Sequence, residues 1–220
     1  IPDSKYLIDA SGLDEAYAAT LACSGLTAFS AIAKLPPLSP RDWVAVLGCG
    51  GLGMATIAIL RAQGIENIIA CDIDAAKLAE AQAQGARVTL DTRAADALAR
   101  LKSLSGDSLA GAIDLVGMPA TAELAIGALR KGGRYIMCGL FGGEITLPLP
   151  PLAQRALTIG GSYVGNLAEL RELVALAQSG RLRATPVQVR PASEINRSLE
   201  ELKAGTIMGR VVIDMETAGQ

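Results

Sequence analysis

The sequence of 220 residues contains no histidine. Histidine is the usual proton carrier of enzymes near neutral pH and the commonest metal ligand, so an enzyme of this length without it lacks its ordinary acid–base residue. The chain begins with Ile1 instead of methionine and shows no secretory signal. We therefore expect a fragment of a longer protein that is inactive by itself.

Charge and aromatic residues are also scarce. Lysine and arginine number 20 and aspartate and glutamate 22, which leaves a net charge of −2 without a long block of like charges. This composition excludes a typical nucleic-acid surface. Aromatic residues make up 3% of the chain and hydrophobic residues 50%. Because Arg61 interrupts the most apolar predicted helix, no apolar run reaches the ~18 residues of a membrane span, and no membrane partner is expected.

The cysteines form no pair of the Cys-x-x-Cys type; they are Cys23, Cys49, Cys71 and Cys138. Each lies among apolar neighbours, which suits reduced thiols better than a disulfide framework. We therefore expect a cytoplasmic location.

Strand-like apolar runs alternate with helical patterns through most of the chain. Strands are predicted at 43–48, 67–72, 87–90, 111–117, 134–140, 157–164, 186–190 and 210–215. Helices are predicted at 14–34 (one or two), 52–63, 75–84, 93–104, 120–130, 167–179 and 193–204. Such alternation predicts an α/β fold in which βαβ units surround a buried, doubly wound parallel sheet.

A glycine cluster follows the first of these strands. Gly48, Gly50 and Gly53 form a Gly-x-Gly-x-x-Gly motif between a strand and a helix, and Asp72 ends the next strand nineteen positions after Gly53. The first glycine allows a tight turn, the second lets a pyrophosphate approach the backbone, and the third lets helix and strand pack closely. The helix N-terminus attracts the phosphates, and Asp72 can accept hydrogen bonds from a ribose while repelling a 2′-phosphate. The motif predicts a site for NAD.

Other interpretations of this stretch are open. A glycine-rich turn can bind nothing, and Asp72 can be a solvated carboxylate at a strand end. Methyltransferases that use S-adenosylmethionine also carry a Gly-Cys-Gly turn, but they usually have an acidic residue where this chain has Val46, and they do not need Gly53. No tyrosine is followed by lysine four positions later, and no Gly-Lys-Ser/Thr occurs, which excludes short-chain dehydrogenase and P-loop chemistry.

Four segments occur in a characteristic order, namely AATLACSGLTAFSAI, VLGCGGLGMATIAIL, ACDIDAAKL and GTIMGRVVI. Together they resemble the cofactor-binding half of the medium-chain, zinc-dependent alcohol dehydrogenases, and the match covers nearly the whole chain. The resemblance implies a Rossmann sheet of six strands with C-terminal additions. It also implies a GroES-like N-terminal catalytic domain, which we expect to be missing from this chain.

The resemblance implies one set of cofactor-binding residues along the chain. They are Gly48, Gly50, Gly51, Leu52 and Gly53 at the pyrophosphate; Asp72, Ile73 and Lys77 at the adenosine ribose; Val116 and Gly117 at the adenosine and the middle of the cofactor; Cys138, Gly139, Leu140, Ser162 and Tyr163 at the carboxamide; and Arg210 at the pyrophosphate. Ile73 stands where an NADP-preferring member more often has arginine or serine. The alternative for Arg210 is an ordinary surface arginine beside a C-terminal strand.

Cys23 is the one metal-ligand candidate. By resemblance it matches the last ligand of the catalytic zinc, whose partner ligands belong to the absent domain; the alternative is a buried cysteine that packs as a small apolar residue. In the intact enzyme the resemblance implies hydride transfer between a small alcohol or carbonyl substrate and NAD. A non-catalytic NAD-sensing module is the alternative function, although it would not need the helix that carries Cys23.

The resemblance also divides the chain and predicts its assembly. Residues 1–12 are expected to be a linker or remnant of the catalytic domain, 13–190 the dinucleotide-binding domain, and 191–220 a helix and strand that return toward the catalytic domain. The apolar segment 157–164 is expected at a sheet edge, which favours pairing with a second chain. We expect a homodimer through residues near 141–164, and a dimer or tetramer of the intact enzyme.

Overall fold

The computed structural model describes residues 3–215. Residues 1–2 and 216–220, which belong to the first and last of the predicted segments, lie outside the described residues. The strands are β1 Trp43–Leu47, β2 Ile68–Asp72, β3 Val88–Asp91, β4 Leu109–Asp114, β5 Arg134–Met137, β6 Thr158–Gly161, β7 Val187–Pro191 and β8 Arg210–Asp214. The helices are α1 Glu15–Thr20, α2 Leu26–Ala33, α3 Gly51–Ala62, α4 Ala75–Gln84, α5 Ala97–Ser105, α6 Pro119–Ala128, α7 Leu149–Gln154, α8 Leu167–Gln178 and α9 Ile195–Lys203. Short 3₁₀ turns lie at Ser4–Tyr6 and Ala192–Glu194.

Six strands form a parallel sheet in the order β3-β2-β1-β4-β5-β6. The order reverses between β1 and β4, so the carboxyl ends of these two strands frame a crevice, the usual ligand position in such sheets. This topology confirms the predicted doubly wound α/β fold.

The sheet is buried on both faces. Val44 and Val46 of β1 point into one apolar cluster, while Ala45 and Leu47 point into the other. The first cluster receives side chains of α2, α3, α4 and α8, and the second receives those of α5 and α6. Successive residues of a strand face opposite sides, which explains why the central strands are continuously apolar.

The N-terminal helical region corrects the prediction that no apolar run is long enough to span a membrane. α1 and α2 are joined by a π-helical segment, Leu21–Gly25, into one helix of 19 residues that is apolar and long enough to do so. Its residues from Ala16 to Ala33 carry no charge. However, 61% of its most apolar stretch is buried against the rest of the domain, as in the core helix of a globular protein.

The C-terminal strands are separate from the main sheet. β7 and β8 pair in parallel with each other, Val187 opposite Arg210, and α9 connects them. The predicted boundary at residue 190 therefore lies close to the end of β7, while the division into domains stays a prediction.

Candidate functional site

The turn after β1 depends on close backbone packing. Gly48 has φ +91°, which favours glycine. A β-carbon at Gly53 would lie 2.0 Å from the carbonyl oxygen of Gly48, so only glycine allows α3 to start this close to the strand. Gly50 differs, because a β-carbon there would meet nothing within 4 Å among the described residues. The backbone at Gly50 is therefore open to a ligand.

The N-terminus of α3 faces the same space. Gly50 is its N-cap, and within residues 3–215 no side chain caps the free amides of its first turn. Arg210 at the start of β8 lies against this turn, since a β-carbon at Gly51 would lie 2.2 Å from its Cδ. Among the described residues, none forms a hydrogen bond or an ion pair with the Arg210 guanidinium. A positive side chain and free amides thus converge, which suits an anion.

Asp72, half-buried at the end of β2, contacts this turn. Its Oδ2 accepts a hydrogen bond from the backbone N–H of Cys49 at 2.6 Å, and its Oδ1 accepts from those of Ile73 at 2.7 Å and Asp74 at 3.0 Å. A carboxylate oxygen accepts about two hydrogen bonds, so Oδ2 keeps one acceptor position. Asp72 therefore stabilises the turn and can still bind a hydroxyl. Ile73 is 59% exposed beside it.

Lys77 lies in the first turn of α4. Its Nζ lies 3.8 Å from where a β-carbon on Gly205 would be, in the loop before β8. Lys77 thus contacts the C-terminal loop that leads to Arg210.

The turns after β4 and β5 touch through their backbones. Gly117 has φ +76°, and a β-carbon there would lie 2.2 Å from the carbonyl oxygen of Gly139. A β-carbon at Gly139 would lie 2.2 Å from the carbonyl oxygen of Val116. Val116 and Gly117 follow β4 instead of ending it, and Cys138, Gly139 and Leu140 likewise follow β5. The structure brings both predicted segments together at the carboxyl edge of the sheet.

Asp114 holds these two turns, and the sequence analysis missed it. It is fully buried. Its Oδ1 accepts hydrogen bonds from the N–H groups of Val116 and Gly117, both at 2.9 Å. Its Oδ2 accepts from the hydroxyls of Thr121 and Tyr135, both at 2.7 Å. Burial raises the pKa of the Tyr135 hydroxyl, and its hydrogen bond to Asp114 raises this pKa further. The available signal was a carboxylate at the end of an otherwise apolar strand.

A second missed residue, Lys34, anchors the β6 end of the site. Its Nζ donates to Ser162 Oγ at 2.7 Å and to Ser30 Oγ at 2.8 Å. Burial raises the pKa of the Cys138 thiol to about 11, although Lys34 and the Ser162 hydroxyl act in the opposite direction. Ser162 is buried, whereas Tyr163 is 79% exposed. Both follow β6 in the chain, and nothing in the sequence indicates that Lys34 reaches Ser162.

Cys23 lies in the π-helical segment and is exposed. The alternative that it is a buried packing residue is therefore wrong. Within residues 3–215, no three side chains of histidine, cysteine, aspartate or glutamate lie together as a metal site. The described residues consequently do not fit a zinc ion by themselves, and Cys23 as one ligand of a larger set stays a prediction.

Comparison with known proteins gives consistent matches. Residues 51–179 match the family model described as zinc-binding dehydrogenase. An alcohol dehydrogenase of Moraxella sp. is 33% identical over 92% of this chain and 59% of its own length. The crystal structure of an alcohol dehydrogenase from Aeropyrum pernix matches with a TM-score of 0.82 and 36% identity over 90% of this chain and 57% of that one.

A third relative was solved with a cofactor. The acetophenone reductase of Geotrichum candidum, in complex with NAD, matches with a TM-score of 0.83 and 25% identity over 96% of this chain and 58% of that one. The chain therefore spans under two thirds of the length of these relatives.

Proposed function

Because the chain belongs to the zinc-binding dehydrogenase family, we propose that it binds NAD(H) across the carboxyl edge of its six-stranded sheet and forms the cofactor-binding half of an alcohol dehydrogenase. The observation that carries the proposal is the open backbone at Gly50, which lies between the uncapped start of α3, the Asp72 carboxylate and the Arg210 guanidinium. A dinucleotide presents a negative pyrophosphate beside a ribose, and this arrangement complements both.

Each predicted residue has a part in this proposal. The free amides of Gly51, Leu52 and Gly53, together with Arg210, bind the pyrophosphate, while Gly48 shapes the turn. Asp72 accepts a hydrogen bond from the adenosine ribose through the open position on Oδ2, with Lys77 beside the ribose and the exposed Ile73 against the adenine.

The opposite end of the crevice holds the nicotinamide. Backbone groups of Cys138, Gly139 and Leu140, together with Ser162 and Tyr163, orient the carboxamide. Val116 and Gly117 lie along the adenosine and the middle of the cofactor. When bound, the nicotinamide ring would accept hydride in its oxidised form and donate hydride in its reduced form. The residues of this chain bind and orient the ring.

The substrate half of the reaction requires groups beyond those described. We propose that Cys23 contributes one zinc ligand when further ligands are provided by another domain, and that the substrate is a small alcohol or carbonyl compound. α9 supports such a domain contact, because Ile195, Leu199 and Leu202 form an exposed apolar stripe on one face of this helix. An NAD-sensing module remains the alternative, and no observation favours a methyltransferase.

The proposal also covers the assembly of the protein and its location in the cell. β6 is an edge strand with Ile159 40% exposed, beside an apolar cavity of about 290 Å³ that Met118 and Met137 also line. We propose that a second copy of the chain covers this edge in a homodimer. The four cysteines are free, which supports a reducing, cytoplasmic location.

Calorimetric titration with NAD and NADP tests the cofactor proposal. We expect tighter binding of NAD, because the Asp72 carboxylate repels a 2′-phosphate. Asp72→Ala should weaken NAD binding by about 1.5–3 kcal/mol, the usual value of a hydrogen bond to a charged group. Asp72→Asn is the matched control, since its amide oxygen can still accept from the turn. Equal or tighter binding of NADP by the unchanged protein would contradict the proposal.

A further inference from the structure

The ends of β2 and β3 place two aspartates side by side. Asp72 and Asp91 are register partners in the parallel sheet, in which neighbouring strands lie about 4.8 Å apart. The backbone N–H of Thr92 donates to the carbonyl oxygen of Asp72 at 3.1 Å, which joins the two strand ends. Asp91 is therefore the neighbour of the residue that we propose binds the adenosine ribose.

Asp91 also holds the nearest arginine. Arg93 donates to it through Nε at 3.1 Å and through Nη2 at 2.7 Å, and its backbone N–H donates to Oδ1 at 2.9 Å. These bonds keep the pKa of Asp91 near 2, so the carboxylate is charged at all physiological pH values. The Arg93 side chain is 63% exposed, and its charge also acts on Asp74, the N-cap of α4.

This arrangement matters for a dinucleotide that carries a 2′-phosphate. Such a phosphate requires a cation, and arginine is the usual partner because its planar guanidinium binds phosphate bidentately. Here the two donors on one edge of the Arg93 guanidinium are already bound to a carboxylate. The Nη1–Nη2 edge has no hydrogen-bond partner among the described residues, but the bound Asp91 carboxylate neutralises the charge of the guanidinium. A phosphate at the ribose would therefore meet the charges of Asp72 and Asp91 without an uncompensated cation to offset them.

We propose that Asp91 is a second determinant of cofactor specificity, which excludes NADP by holding Arg93 in a bidentate pair beside the ribose site of Asp72. The inference rests on the proposed function, since it concerns the same bound dinucleotide. It differs from a role of Asp72 alone. The discrimination between NAD and NADP comes here from a residue on the neighbouring strand, which binds the arginine that could otherwise pair with a 2′-phosphate.

Three variants test it by calorimetric titration of the full chain with NAD and NADP. Asp91→Asn removes the charge but keeps an oxygen for the backbone N–H of Arg93. We expect it to tighten NADP binding about three- to tenfold, the value of one charge-assisted contact at an exposed site. NAD binding should change less than about twofold, since a neutral ribose hydroxyl gains little from a free guanidinium.

Arg93→Gln and the double variant Asp91→Asn/Arg93→Gln supply the controls. The double variant should bind NADP no more tightly than the unchanged protein. In Asp91→Asn the gain in NADP affinity should shrink as the salt concentration is raised, because the contact between Arg93 and the 2′-phosphate is exposed and ionic. A gain that persists without Arg93, or no gain in Asp91→Asn while NAD still binds to all variants, would overturn the inference. If the unchanged protein binds neither dinucleotide, the proposed function itself has failed.

Discussion

Asp114 gives the strongest prediction about stability. Its carboxylate is fully buried and accepts four hydrogen bonds, two from backbone amides and two from hydroxyls, without a cationic partner. Asp114→Ala removes every acceptor at once. The Thr121 hydroxyl retains the carbonyl oxygen of Met118 at 2.9 Å, whereas the two amides and the Tyr135 hydroxyl lose their partner.

The magnitude follows from those three donors. A buried donor left without a partner costs about 1–3 kcal/mol, so the loss of three partners in Asp114→Ala should lower the free energy of unfolding by about 3–9 kcal/mol. This is a large part of the 5–15 kcal/mol typical of a domain. Asp114→Asn keeps an oxygen toward the amides, and the hydroxyls can rotate to accept from its NH₂, so it should cost only about 1–2 kcal/mol.

Urea unfolding followed by circular dichroism measures these differences in the free energy of unfolding. The comparison requires that the slope of this free energy against urea concentration is the same in all variants. Asp96→Ala is the matched control, because Asp96 is exposed and makes no side-chain hydrogen bond as N-cap of α5; we expect a change within about 0.5 kcal/mol. A loss below about 1 kcal/mol for Asp114→Ala would refute the argument. Equal losses for the Ala and Asn variants would show that the charge matters instead of the hydrogen bonds.

Three other expectations concern assembly, thiols and metal. Ile159→Lys should convert a homodimer to monomers in light scattering, and a monomeric mass for the unchanged chain would rule out the dimer. Only Cys23 should react with iodoacetamide near pH 8, because alkylation needs the thiolate and burial raises the pKa of Cys49, that of Cys138 to about 11 and that of Cys71 to about 12. Mass spectrometry counts the labels, and a second label on the native chain would contradict this. Metal analysis and turnover assays should find neither stoichiometric zinc nor alcohol oxidation for the 220-residue chain, and either one would disprove its predicted inactivity.

The regular elements were predictable because burial imposes a simple pattern on them. A parallel sheet covered on both faces makes its strands continuously apolar, and turn glycines interrupt the helices between them. The ends of strands were less accurate. The predicted strand 111–117 ends at Asp114, because this side chain binds the amides of Val116 and Gly117 and turns the chain. The predicted strand 134–140 ends at Met137 because the next two amides both donate to the carbonyl oxygen of Asp114.

α7 was missed for a different reason. Its segment Leu149–Gln154 contains Pro150 and Pro151 and follows Pro148, so the composition predicted no helix there. Proline is tolerated in the first helical turn, where its missing N–H has no intrahelical partner. A proline-rich segment can therefore begin a short helix, and composition alone does not separate the two cases.

The candidate site could be predicted from the sequence only where its residues are close together in the chain. The glycine motif and Asp72 are close in sequence to the elements that they serve, so their spacing carries the signal. Lys34 and Ser162 are separated by 128 positions and meet only because the fold brings the end of α2 next to the turn after β6. Such a contact depends on side-chain reach across a folded core, and no local pattern encodes it.

Asp72 and Asp114 show how a structural carboxylate differs from one available to a ligand. Both are the last residues of buried strands at the same edge of the sheet, and both accept hydrogen bonds from the turn that follows. Asp114 has all four acceptor positions filled from within the protein, so a ligand could bind it only by displacing a bond. Asp72 has three filled and is half-buried. The unused acceptor position, and not the residue type or its place at a strand end, is what makes Asp72 the candidate for binding a ribose.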